Sequence, residues 1–169
     1  RLGETMCSVY HRIHKIPVKV VRPFNVYGPG SRIDDDRVVP KFIYSALQGK
    51  ELTLHLPSTQ TRTFSYISDA MTGFFKALLS DRNGQAYNIG MYVGEIDMES
   101  LAEVVSFMFK GKVNIKKIEC PTEYPTDQAL RRNPNILKAR GELSYEPKVK
   151  LFEGLKRTIE WSRDYLKHG

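Results

Sequence analysis

The sequence lacks long hydrophobic runs, and no stretch approaches the roughly 20 apolar residues of a membrane-spanning helix. It has only two cysteines, Cys7 and Cys120, which belong to no Cys-x-x-Cys or Cys/His pattern. Such spacing favours neither a zinc site nor a disulfide framework, so we expect reduced thiols in a cytoplasmic protein. The 4 histidines follow no metal-ligand spacing either, and we expect all of them on the surface.

A dense run of basic residues is also missing, although the formal net charge is +7. Lysine and arginine are spread along the whole length, and aromatic residues do not alternate with them as in a strand that binds single-stranded nucleic acid. An ordinary solvated surface, or a phosphate-bearing ligand, explains this charge better than nucleic acid does. A basic adaptor for nucleic acid or protein is the least favoured alternative.

Helical and strand patterns alternate along the 169 residues, without internal repeats or low-complexity segments. With 41% hydrophobic and 27% charged residues, the chain is long enough to bury a core. Helices are predicted over residues 2–14, 38–47, 68–79, 97–108, 135–142 and 151–167, with a loop over 120–133. Strands are predicted over residues 18–21, 52–56, 63–67, 87–90 and 113–118. This alternation predicts an α/β protein.

Local signals refine these predictions. Ser68 is predicted to cap the third helix with Asp69 in its first turn, and Asp97 is predicted to open the fourth. Gly49 is predicted to close the second helix. The β-branched segment 18–21 is predicted to be a parallel strand that is buried on both faces.

That strand leads into Arg22-Pro23-Phe24-Asn25-Val26-Tyr27-Gly28-Pro29, which resembles the RxxNxYGP segment of the extended short-chain dehydrogenase/reductase enzymes that act on sugar nucleotides. Further similar segments follow in the family's order at residues 37–43, 49–53, 60–69, 87–90 and 132–135. The family includes galactose 4-epimerase, dTDP-glucose 4,6-dehydratase and UDP-glucuronate decarboxylase. The Arg-Val-Val and Gln-Thr-Arg segments are most similar to the decarboxylase branch.

This resemblance implies the C-terminal part of a Rossmann-type doubly wound sheet plus the small α/β substrate-binding domain. Residues 1–30 would end the dinucleotide-binding domain, and residues 31–169 would mainly form the sugar-nucleotide-binding domain, with 68–90 returning to the Rossmann sheet. The implied cofactor is NAD, and the implied substrate is a nucleotide-diphosphate sugar, with a UDP-sugar favoured. The enzyme would epimerise, dehydrate or decarboxylate that sugar through a transient keto-sugar.

The resemblance also assigns substrate-binding residues. Arg62 and Arg132 would bind the diphosphate, because planar guanidinium groups donate paired hydrogen bonds to phosphate oxygens. For each, the alternative is an ordinary surface or salt-bridged arginine. Asn25 would bind the sugar or a phosphate, unless it satisfies its own turn, and Val38 would line the same site.

Cofactor contacts are implied for Pro23, Phe24 and Val26, which would flank the nicotinamide or simply pack the strand. Arg37 would contact the cofactor or nucleotide, or pair with the acidic segment 34–36. Two further aromatic residues, Tyr66 and Tyr87, are expected in the core rather than as platforms for a nucleotide base.

The family's catalytic Tyr-x-x-x-Lys pair has no counterpart in the chain, and neither has its glycine-rich phosphate loop. Aligning residues 1–4 with the catalytic helix would place the lysine immediately before Arg1. We therefore expect the C-terminal half of a longer enzyme, inactive alone and associated with its own N-terminal half. Helix 2–14 resembles the helix through which these enzymes dimerise, so a homodimer is expected.

A self-sufficient, non-catalytic sugar-nucleotide-binding module is the alternative, disfavoured because the segment 18–21 would then expose a sheet edge. Two departures from the family leave the base and the sugar open. His55-Leu56-Pro57-Ser58 stands where a Tyr-Gly-x-Gly turn is frequent, and Arg132-Asn133-Pro134-Asn135 lacks the carboxylate of Arg-x-Pro-Asp. Reaction type and the choice between NAD and NADP also stay open.

Overall fold

The structure is a computed structural model that describes residues 1–32, 34–120 and 129–168. Its helices are α1 (Leu2–His14), α2 (Val38–Leu47), α3 (Ile67–Leu79), α4 (Met98–Met108), α5 (Leu137–Leu143) and α6 (Leu151–His168). Its strands are β1 (Lys19–Pro23), β2 (Val26–Tyr27), β3 (Leu52–Leu56), β4 (Thr61–Arg62), β5 (Ser65–Tyr66), β6 (Gln85–Ile89), β7 (Ile96–Asp97), β8 (Ile115–Glu119) and β9 (Arg131–Arg132). None of the described helices is long and apolar enough to cross a membrane.

Most strand pairs are parallel, with helices in the connections. β1 pairs with β6, β2 with β5, and β3 with β8, each in parallel orientation. A further sheet has the order β7-β4-β9, in which β7 is antiparallel and β9 parallel to β4. Parallel pairs with helical crossovers confirm the α/β prediction.

Two hydrophobic clusters form the core. The larger one lies between α2, β3, α4 and α6, and the smaller one lies between β6, α3 and α5. Phe64, two residues after β4 ends, belongs to the larger cluster, and Ile136, four residues after β9 ends, belongs to the smaller one. The paired strands β4 and β9 are therefore anchored in different parts of the core.

Some helix ends follow the predictions and one does not. Asp97 is the N-cap of α4 and accepts a hydrogen bond from the Ser100 N–H at 2.8 Å, and Gly49 has the left-handed φ of +68° expected after α2. The prediction that Ser68 caps α3 is wrong: β5 runs directly into the helix, which begins at Ile67 with Tyr66 as N-cap. Asp69 does lie in the first turn.

Three strand predictions need correction. Residues 19–21 of β1 are half-buried rather than buried, because within the described chain β1 pairs with β6 along one edge only. Of the strand predicted over 63–67, only Ser65–Tyr66 is a strand, β5; β4 ends before it at Arg62 and belongs to a different sheet, and α3 begins at Ile67. β9 lies where a loop was predicted over 120–133, and residues 121–128 of that prediction lie outside the described residues.

Gly154 in α6 is required by the packing of two tyrosines. A Cβ at this position would collide with the Tyr27 hydroxyl group and lie 3.0 Å from Tyr66 Cδ2. Tyr27 cannot easily move, because its hydroxyl donates to the Leu151 carbonyl oxygen at 3.1 Å. We expect Gly154→Ala to lower the free energy of unfolding by about 1–3 kcal/mol, measured by urea denaturation.

Gly141 in α5 provides the matched control, because a Cβ there would meet nothing within 4 Å. Gly141→Ala should leave stability unchanged or raise it by up to about 1 kcal/mol, since alanine is the better helix former. Equal effects of the two substitutions would contradict the packing argument.

Candidate diphosphate-binding site

Arg62 and Arg132 lie side by side on neighbouring strands. In the parallel pair β4–β9, Arg62 is the register partner of Arg132, and Thr61 is the register partner of Arg131. Because side chains alternate between the faces of a strand, the first pair leaves the sheet on one face and the second pair on the other. The structure thus brings together the two arginines that the resemblance assigns to the diphosphate.

The Arg62 guanidinium is buried among neutral acceptors. Its residue is 7% exposed, and its Nη1 donates to the carbonyl oxygens of Thr61 at 2.9 Å and Leu130 at 3.4 Å. Its Nη2 donates to the Gln60 side-chain oxygen at 3.1 Å. Burial, and then the positive charge of Arg132, lowers the pKa of Arg62.

No carboxylate in the described part of the chain forms an ion pair with Arg62 or Arg132. The alternative of salt-bridged arginines is therefore not supported within these residues. Arg132, unlike Arg62, is exposed. Two adjacent positive charges, one of them desolvated, form an arrangement that an anion would stabilise.

Thr63 links the third predicted substrate residue to this pair. The Asn25 side-chain amide donates to the Thr63 carbonyl oxygen at 2.7 Å, and the Thr63 N–H donates to the Arg132 carbonyl oxygen at 3.3 Å. Asn25 has a left-handed φ of +43°, and its amide group does not satisfy its own turn. Sequence reasoning missed Thr63, since backbone groups that any residue carries make both bonds.

The carboxyl ends of the parallel strands β1 and β6 converge on the same region. The Phe24 N–H donates to the Ile89 carbonyl oxygen at 3.0 Å. A Cβ on Gly90 would lie 2.9 Å from Phe24 Cβ, 3.1 Å from Pro134 Cγ and 3.2 Å from Ser65 Oγ. Ligands of open α/β sheets bind at such carboxyl ends.

The predicted cofactor residues lie at this edge. Pro23, which ends β1, is exposed, and Phe24 is half-buried, as is Val26, which pairs with Ser65. Their roles toward a cofactor stay predictions. Val38 begins α2 and packs against the larger hydrophobic cluster.

Arg37 is held by its acidic neighbour. Its Nε donates to both Asp35 carboxylate oxygens at 3.0 and 2.9 Å, and its Nη1 donates to the Val26 carbonyl oxygen at 3.4 Å. This hydrogen-bonded ion pair raises the pKa of Arg37 and lowers that of Asp35. Of the two sequence-based interpretations of Arg37, the structure favours pairing with the acidic segment.

Other polar and aromatic residues mostly follow the predictions. Tyr66 and Tyr87 are buried core residues, and the Tyr87 hydroxyl donates to the Glu142 carboxylate at 2.7 Å. His14 and His168 are exposed, and His11 and His55 are half-buried. The described residues hold no group of three or more His, Cys, Asp or Glu side chains that could bind a metal ion.

Glu95 contacts the side chains of Thr61 and Arg131, on the face of the β4–β9 pair opposite to Arg62 and Arg132. It was not identified from the sequence. Its carboxylate accepts hydrogen bonds from Arg131, Thr61 and Asn133. These bonds, that from Arg131 first, lower the pKa of Glu95 to about 2. No local motif marks this residue, because its partners are 34 to 38 positions away.

Residues 1–90 match the model of the NAD dependent epimerase/dehydratase family. Over 155 residues, 92% of its length, the chain is 45% identical to UDP-glucuronic acid decarboxylase 6 of Arabidopsis thaliana. The chain belongs to the NAD dependent epimerase/dehydratase family. The resemblance drawn from the sequence motifs is thereby confirmed.

The family relatives include vertebrate proteins, and they are longer than this chain. UDP-glucuronic acid decarboxylase 1 of Xenopus tropicalis is 36% identical over 168 residues, or 99% of the chain. The chain spans 43% of the Arabidopsis protein and 38% of the Xenopus protein.

Solved structures of the family share the fold. UDP-glucuronic acid 4-epimerase of Bacillus cereus, in complex with UDP-glucuronic acid and NAD, matches 96% of the chain and 50% of its own with a TM-score of 0.84 and 30% identity. The epimerase Mth375 of Methanothermobacter thermautotrophicus matches 98% of the chain and 49% of its own, with a TM-score of 0.87 and 26% identity. These matches confirm the prediction of a Rossmann-type α/β fold.

Proposed function

We propose that the chain supplies the diphosphate-binding part of an NAD-dependent enzyme that decarboxylates UDP-glucuronate. One observation carries this proposal: Arg62 and Arg132 are register partners on one face of a sheet, without a carboxylate partner in the described chain. The family and its curated decarboxylase relatives supply the substrate class.

A diphosphate suits the two arginines better than a single carboxylate would. Arg62 has three side-chain hydrogen bonds to neutral oxygens, which leave two of its five N–H groups without an acceptor among the described residues. Arg132 adds a second, exposed guanidinium. Each can donate charge-assisted hydrogen bonds to a separate phosphate group of the same ligand.

The same edge offers an apolar surface to a nicotinamide. Pro23 is exposed and Phe24 half-buried at the carboxyl end of β1, which fits one face of a planar ring. Arg37 fits the cofactor less well, since Asp35 already compensates its charge. NAD, when bound, accepts a hydride from the sugar and later returns it. This chain's residues would hold the sugar nucleotide against that cofactor.

We place the domain boundary as the resemblance implies, with residues 1–30 and 68–90 in the dinucleotide-binding domain. The parallel β1–β6 pair supports this division, because it joins strands from these two segments. The Tyr-x-x-x-Lys pair that removes the hydroxyl proton in the family is not in this sequence. The proposed activity therefore belongs to the full-length protein, and we infer that this chain alone is inactive.

A second candidate, 4-epimerisation of UDP-glucuronate, is favoured by the match to the Bacillus cereus epimerase. Incubating the full-length protein with NAD and UDP-glucuronate separates the two reactions. Decarboxylation releases CO₂ and gives a UDP-pentose, which NMR detects, whereas epimerisation gives UDP-galacturonate without CO₂. Formation of the epimer alone would replace our proposal, and the absence of both turnover and UDP binding would overturn it.

A further inference from the structure

Glu95 joins three side chains that come from both strands of the β4–β9 pair. Both its carboxylate oxygens accept from Arg131, at 2.9 and 3.1 Å from Nε and at 2.7 Å from Nη2. One oxygen also accepts from the Asn133 side-chain amide at 3.0 Å, and the other from the Thr61 hydroxyl group. Thr61 belongs to β4, whereas Arg131 and Asn133 belong to β9 and its continuation.

The backbone connection between these strands is short. β4 and β9 contain two residues each. At its ends the Thr61 N–H donates to the Leu130 carbonyl oxygen at 2.8 Å, and the Thr63 N–H donates to the Arg132 carbonyl oxygen at a long 3.3 Å. Charge-assisted bonds to a carboxylate are stronger than neutral ones, so the Glu95 contacts add to these few backbone bonds in attaching β9 to β4.

The attachment has to oppose a repulsion on the other face. Arg62 and Arg132 are directly opposed in the register, and like charges at such positions destabilise a strand pair. Glu95 forms an ion pair with Arg131. Of the two consecutive arginines, Arg132 is therefore the one without a carboxylate partner in the described chain. The Glu95 side chain is 23% exposed, and the bonds that it accepts hold its pKa at about 2, so it stays ionised at neutral pH.

We infer that Glu95 is a positioning residue that holds Arg132 in register with Arg62 for diphosphate binding. The inference rests on the proposed function, because it assigns Glu95 a task that matters only if the two arginines bind the ligand. Glu95 does not touch the ligand face itself. It acts from the opposite face of the sheet, through Arg131 and Thr61.

The test uses the full-length protein, UDP as the probe, and titration calorimetry. Glu95→Gln should raise the Kd for UDP about tenfold, since the loss of charged hydrogen bonds lets β9 shift. The KM for the UDP-sugar should rise while kcat changes less than about twofold, because the residue acts on binding. In an Arg132→Ala background, Glu95→Gln should raise the Kd for UDP by less than about a further twofold, since the arginine that Glu95 positions is already absent.

Glu153→Gln is the matched control. Glu153 forms an exposed ion pair with Arg157 in α6 and contacts neither Arg62 nor Arg132 in the described chain, so its loss should change the UDP Kd by less than about twofold. If the effect of Glu95→Gln persists in full without Arg132, the positioning role is overturned. If Arg132→Ala itself leaves UDP binding unchanged, the proposed function fails instead.

Thr61→Val provides a milder variant should Glu95→Gln fold poorly. It keeps the β-branched shape and removes one donor to Glu95. We expect an increase in the UDP Kd of about threefold, because one hydrogen bond to a charged group is lost. An unchanged Kd in a folded Thr61→Val protein would contradict the inference.

Discussion

Replacing Arg62 with methionine is expected to weaken UDP binding to the full-length protein about 100-fold without lowering its stability. Two charge-assisted hydrogen bonds to a phosphate contribute about 1.5 kcal/mol each, which corresponds to this loss. Stability should change by less than about 1 kcal/mol, because burial and the charge of Arg132 already disfavour the ionised guanidinium, as its lowered pKa shows. Calorimetry measures the first effect and urea denaturation the second.

Arg163→Met removes the same charge at a different place. Arg163 lies over the Phe109 ring in the exposed part of α6, and its replacement should leave the UDP Kd within about twofold. If both substitutions weaken UDP binding equally, the effect comes from net charge and not from the site. A large loss of stability in Arg62→Met would show that Arg62 is structural.

Replacing Asp69 with alanine is expected to lower the free energy of unfolding by about 3 kcal/mol. Asp69 is 8% exposed, and its Oδ2 accepts hydrogen bonds from the N–H groups of Lys148 at 2.9 Å and Val149 at 2.8 Å. These bonds tie the first turn of α3 to the segment that leads into α6. Alanine would leave both donors without this partner, at about 1.5 kcal/mol for each bond to a charged group.

The free energy of unfolding of Asp69→Asn should fall between those of Asp69→Ala and the wild type, because asparagine keeps one acceptor oxygen without the charge. Asp164→Ala, in the exposed part of α6, is the control and should change stability by less than about 0.5 kcal/mol. The account is contradicted if urea denaturation finds Asp69→Ala and Asp164→Ala equally stable.

The long amphipathic segments could be predicted from the sequence alone. The predicted bounds of α1 and α2 coincide with the observed Leu2–His14 and Val38–Leu47. Their apolar residues recur at helical spacing over three turns or so, which sets the period clearly. This holds even for α1, whose Leu2, Met6 and Ile13 are exposed in the described chain.

The two-residue strands could not be predicted in this way. β4, β5 and β9 are too short for an alternating pattern, and their partners lie far away in the sequence. The break between β4 and β5 depends on two separate contacts. The Thr63 N–H bonds to the Arg132 carbonyl oxygen, whereas Ser65 pairs with Val26. Such nonlocal pairing leaves no local signal.

Part of the candidate site followed from the motif resemblance, which assigned Arg62, Arg132 and Asn25. Residue type alone does not distinguish Arg131 from Arg132. The register places Arg132 beside Arg62, and Arg131 forms an ion pair with Glu95. Thr63 and Glu95 could not be predicted from the sequence, for different reasons. Thr63 acts through its backbone, and Glu95 contacts the arginine on the opposite face.

The most direct test of the central claim compares UDP with UMP by titration calorimetry on the full-length protein. If Arg62 and Arg132 bind a diphosphate together, the Kd for UMP should exceed that for UDP by about 100-fold, since UMP lacks the second phosphate. Substitution of both arginines by methionine should abolish that difference. Equal affinities for UDP and UMP in the wild-type protein would contradict a shared diphosphate site.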